Sequence, residues 1–91
     1  MKAFRVSLNG KQICLAGIDG NGSLNTMIDY TAGDAQRLSL RVGGMIKDSD
    51  EFLSWSVVSL NVGDEVTLKI LEAETVDPPG KRIPRNQAER L

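Results

Sequence analysis

Residues 3–15 read Ala3-Phe4-Arg5-Val6-Ser7-Leu8-Asn9-Gly10-Lys11-Gln12-Ile13-Cys14-Leu15. Phe4, Val6 and Leu8 alternate with Arg5 and Ser7, the period of a strand that buries one face. Asn9-Gly10 follows at once. That dipeptide favours the left-handed conformations of a type I′ turn, whose twist matches the strands it joins. A two-residue turn sets Leu8 opposite Lys11, Val6 opposite Ile13 and Phe4 opposite Leu15, so both strands bury the same side. The chain therefore opens on a β-hairpin.

Working outward, the same period recurs. Asp19-Gly20-Asn21-Gly22 is dense in turn residues. Beyond it Leu24, Thr26, Ile28 and Tyr30 alternate with Asn25, Met27 and Asp29. Leu38, Leu40 and Val42 then alternate with Arg37, Ser39 and Arg41 up to Gly43-Gly44, where the pattern stops. The short connection between these segments predicts antiparallel pairing. Residues 45–60 read as a short turn at Asp48-Ser49-Asp50-Glu51 and a strand carrying Leu53, Trp55 and Val57, with a short helix as the alternative. Leu60–Val66 reads as a tight connection, and Val66, Leu68 and Ile70, alternating with Glu65, Thr67 and Lys69, as a further strand. No window carries a helical stripe. Five to six short strands predict an all-β domain over residues 1–76, a small antiparallel sandwich or partly open barrel, followed by an extended proline-containing tail at 77–91.

Ninety-one residues make one domain. A chain of this size buries about 64% of its unfolded surface, enough for a modest core without staples. No apolar run approaches the ~20 residues of a spanning helix, and the first residues lack the apolar block of a leader. The single cysteine excludes an internal disulfide and fits a reducing cytosol. The absence of histidine removes serine–histidine and cysteine–histidine catalysis and the commonest zinc ligand. Net charge is −1, divided as −3 over residues 1–76 and +2 over 77–91. An acidic body with a short basic tail is not the broad basic face that duplex nucleic acid requires.

The chemistry-bearing residues are few. Asp19-Gly20-Asn21-Gly22 resembles the middle of a calcium loop, but Gly17 and Ile28 stand where its end ligands belong, so a turn accounts for it. Asp48, Asp50 and Glu51 could hold a divalent ion or act as an acid pair, against the plainer reading of a solvated charge run. Cys14 falls opposite Arg5 in the predicted register, where a cation would favour the thiolate; its plainer reading is a small strand residue. Arg37 and Arg41, with Arg5 as a third cation and Ser39 and Thr26 as donors, could clamp a small anion or nucleotide. As a strand pair the two would instead make ordinary cross-strand contacts with Asn25 and Asp29. No phosphate loop introduces a helix, and no cofactor is expected. In the tail, Ile83 and Leu91 are the apolar anchors and Asn86 could cap a turn over 87–91. The segment can dock on its own body or on another chain, and the expectation is that residues 77–91 lie across a neighbouring subunit and stabilise a homo-oligomer.

The leading expectation is a non-catalytic cytosolic binding module, working on a protein partner or on itself as a homo-oligomer. A small-anion binder comes second, and a carboxylate–metal enzyme third.

Overall fold

The structure, a computed structural model, describes residues 1–84. It is all-β, with seven strands in two antiparallel sheets. The strands are β1 (Lys2–Leu8), β2 (Lys11–Gly17), β3 (Gly22–Thr31), β4 (Arg37–Ile46), β5 (Glu51–Ser59), β6 (Val66–Glu72) and β7 (Lys81–Pro84). One sheet has the order β2-β1-β6 and the other β3-β4-β5-β7. No helix among the described residues is long and apolar enough to cross a membrane.

Asn9 and Gly10 both carry positive φ, 53° and 81°, so the hairpin turns as its dipeptide requires. The turn is also held from outside. Asn9 Nδ2 donates to Asp64 Oδ1 at 3.0 Å, and the Glu65 amide donates to Asn9 Oδ1 at 2.9 Å. Leu8 faces Lys11 as predicted, but the register shifts one pair further on. Ile13 is the extra residue of a bulge, so Val6 faces Cys14, Arg5 faces Leu15 and Phe4 faces Ala16. The predicted pairs Val6–Ile13, Phe4–Leu15 and Arg5–Cys14 are thereby corrected. The bulge turns Cys14 and Ala16 inward beside Val6, and together with Leu40 and Val42 they form the core.

Two further segments depart from simple alternation. The fourth strand runs through Gly43-Gly44 instead of ending there, and the glycines have a packing reason. A Cβ on Gly43 would lie 2.8 Å from the Leu53 carbonyl oxygen, and one on Gly44 2.8 Å from Ile18 Cδ1. Residues 47–50 form the expected turn and β5 the expected strand, but Trp55 is the extra residue of a second bulge. Leu53 and Trp55 therefore turn inward, while Val57 emerges on the opposite face beside Arg41.

Residues 77–84, which composition assigns to the tail, are tied to both sheets of their own chain. The Asp77 amide donates to the Leu15 carbonyl at 2.9 Å, and the Leu15 amide donates to Asp77 Oδ2 at 2.8 Å. Trp55 Nε1 donates to the Asp77 carbonyl at 2.7 Å. One residue thus joins the edge of β2 to β5 in the facing sheet. Beyond it β7 pairs with β5, a strand beyond the five to six expected, and Arg82 meets Glu51 at 3.6 Å. Residues 77–84 thus make these contacts on their own chain.

Candidate functional site

The two sheets approach along β2 and β5, where the Asp77 clasp holds them. Away from that side they part. The first and fourth strands supply Val6, Leu40 and Val42, the largest fully buried side chains. The third and sixth strands end their sheets on the open side. Ile28 faces Leu40, and Tyr30 faces Leu38, so both lie on the inward face of β3. Leu68 faces Val6 and Ile70 faces Phe4, so both lie on the inward face of β6. Yet Ile28, Tyr30, Leu68 and Ile70 are 55%, 63%, 42% and 66% exposed. Their backbone directs them into a core that does not close over them.

A cavity of about 540 Å³ opens at one end of this side, lined by Phe4, Leu24, Ile70, Met1 and Ile18 together with the charged Lys2 and Asp19. Its walls come from β1 and β6 on one sheet and β3 on the other. Within the third strand the Thr26 hydroxyl oxygen is buried without a hydrogen-bond partner. The arrangement is an apolar slot between two sheet edges, suited to an extended segment that brings alternating apolar side chains and its own backbone hydrogen bonds.

The residues singled out from sequence are dispersed. Arg37 and Arg41 both stand on the outward face of β4, where Arg37 faces Thr31 and Arg41 lies between Met27 and Val57. Neither forms an ion pair with Asp29, which faces Ser39. They line a groove of about 410 Å³ with Ser39 and Ser59. Arg5 belongs to the other sheet, between Leu15 and Lys69, with its Nε buried and unpartnered. Thr26 faces inward, away from Ser39. Arg5 and Thr26 are therefore not brought to the Arg37–Arg41 groove.

Cys14 is buried against the core. Burial pushes its thiol up, the Ser56 hydroxyl acts the other way, and the Asp77 carboxylate adds to the rise. A thiol so placed is held protonated and away from solvent, the opposite of an activated nucleophile. Asp48 and Asp50 stand on the exposed turn before β5, whereas Glu51 is engaged by Arg82. No group of three or more possible metal ligands occurs among the described residues. Ile83 faces Phe52 on the outward face of its sheet and is half-buried there. Leu91, with Asn86 and residues 87–91, lies outside the described residues.

The open slot is what sequence reading missed. Alternation places its four apolar residues on the faces they occupy, but it identifies a face and not its cover. No family model, curated protein or solved structure matches this chain.

Proposed function

We propose that the chain is a non-catalytic binding module that takes an extended polypeptide segment into the slot between β3 and β6. The observation that carries this reading is the exposure of Ile28, Tyr30, Leu68 and Ile70 on faces directed at the core. An incoming strand would cover these side chains and satisfy the free backbone groups of either sheet edge, so one ligand chemistry meets both needs. Covering each side chain fully would contribute up to about 1.5–3 kcal/mol. The lone, buried Cys14 suits work in a reducing compartment such as the cytosol.

The test is selection of peptides from a displayed random library against the wild-type chain and against the Ile28→Lys/Ile70→Lys variant. Wild type should enrich peptides with apolar residues at alternate positions, and the variant should lose them. Selected peptides that bind the variant equally well would overturn the reading.

A second reading has its own observation, the two exposed guanidinium groups beside Ser39 and Ser59 in the outward groove. There a small phosphate or carboxylate could bridge Arg37 and Arg41. Millimolar inorganic phosphate should then raise the melting temperature of wild type and leave Arg41→Ala unmoved.

A further inference from the structure

Resting on the binding-module reading, we infer that the segment the open side receives is the β3 strand of a second copy, paired antiparallel about a two-fold axis at Met27. The four sheet edges differ in how they are protected. The β2 edge is bonded at Leu15 by Asp77. The β7 edge is four residues long, carries Lys81 and Arg82, and ends at Pro84. The β6 edge is seven residues long and carries Lys69 and Glu72. The β3 edge runs for ten residues with no proline, no lysine or arginine and no bulge, and Asp29 is its single charge. A long edge with one charge, no proline and no bulge pairs with other strands unless something blocks it, and among the described residues nothing does.

The sequence of this strand is complementary to itself. With Met27 on the axis, Asn25 lies opposite Asp29 of the second copy, a donor against a carboxylate. Leu24 lies opposite Tyr30 of the second copy, an aliphatic–aromatic pair formed twice by symmetry. Thr26 falls opposite Ile28, and Ser23 opposite Thr31. Centring on Thr26 instead wastes Tyr30 on Gly22, and centring on Ile28 leaves Ser23 and Leu24 beyond the paired length. Side chains directly opposed in an antiparallel pair share a face, so the inward faces of both copies stay on one side. The two β6 strands then flank the axis, and Ile28, Tyr30, Leu68 and Ile70 of both copies line one shared apolar space. Ile28, Tyr30, Leu68 and Ile70 carry roughly 500 Å² of exposed surface per copy, so full cover gives about 1,000 Å² per pair, the size of a weak, transient interface.

The test combines mass with two substitutions at the axis. Sedimentation equilibrium of the full chain, up to about 1 mM, should give a mass approaching twice 9.9 kDa. Met27→Lys sets two ammonium groups across the axis and should weaken the dimer about tenfold or more while the circular dichroism stays unchanged. Met27→Cys sets two thiols on opposed residues with Cα atoms about 4.5–5.5 Å apart, within disulfide reach. With oxidised glutathione as acceptor, those two thiols should lose two hydrogens and join as a disulfide-linked dimer, the glutathione being reduced to two thiols. Asp29→Cys should not link, because its copies stand about 13 Å apart along the strands. A wild-type chain that stays monomeric overturns the pairing, as does a dimer in which any of the three variants behaves otherwise. A monomer that still selects alternating apolar peptides through Ile28 and Ile70 keeps the binding-module reading and loses only the self-pairing.

Discussion

Replacing Asp77 with alanine removes one of the three bonds that hold the sheets together on their closed side. The backbone amide and carbonyl of residue 77 keep their bonds to Leu15 and to Trp55 Nε1, so the substitution isolates the carboxylate bonded to the Leu15 amide at 2.8 Å. A hydrogen bond to a charged group is worth about 1.5–3 kcal/mol net. The site is exposed, and water can replace the carboxylate, which brings the expected loss to about 1–2 kcal/mol. For a domain of this size each kcal/mol moves Tm by about 4–8 °C, so Asp77→Ala should melt roughly 5–15 °C lower. Asp77→Asn keeps an acceptor oxygen and should lose about half as much. Trp55→Phe removes the indole N–H and keeps an aromatic ring, and should cost about 1 kcal/mol on its own. Both groups hold the same segment, so the double variant should deviate from additivity by at least about 0.5 kcal/mol. Thermal melts followed by circular dichroism supply all the values. An Asp77→Ala chain melting with wild type would refute the clasp, and strict additivity would refute its acting as one unit.

Gly43→Ala should destabilise by about 1–3 kcal/mol in urea titration, because its new methyl would press on the Leu53 carbonyl, which strand pairing holds in place. Stability should also depend on pH at both extremes. Lys2 and the N-terminal ammonium hold the Glu72 carboxyl below its ordinary value near 4.5, and Asn9 with the Asn61 amide holds Asp64 below its ordinary 3.8. The stability each contributes is present in full above the ordinary value and is lost as pH falls through the folded one. Lys2 is raised above 10.5 by Glu72, so its contribution is lost as pH rises through the folded value. Melting temperature against pH should show Glu72→Gln flattening both limbs and Asp64→Asn the acid limb alone.

How far the sequence reveals the fold depends on how much of each element is local. The first hairpin is legible because Asn9-Gly10 and the alternation before it are sufficient causes. Its register is legible only as far as Ser7 and Gln12, since Ile13-Cys14-Leu15 is an unbroken apolar run that offers no alternation to follow. Trp55 is obscured for a related reason: Leu53, Trp55, Val57 and Val58 supply apolar residues at both parities. The passage of β4 through Gly43-Gly44 is set by the carbonyls of neighbouring strands, and Lys81–Pro84 becomes a strand only because β5 offers an edge. Asp77 reads locally as the start of a proline turn, and its partners Trp55 and Leu15 are 22 and 62 residues away. The candidate site was half legible. Pattern places Ile28, Tyr30, Leu68 and Ile70 on inward faces, whereas the gap between the sheets is a property of the assembled fold.

Amide hydrogen exchange of the wild-type chain at low and high concentration tests the open side most directly. In dilute solution the outward-pointing amides of residues 22–31 should exchange freely, while the core amides of β1, β4 and β5 stay protected. At high concentration the β3 amides alone should gain protection as the edge pairs. Protection of the β3 edge that persists at every dilution would show that the chain covers it by itself, and would contradict the account.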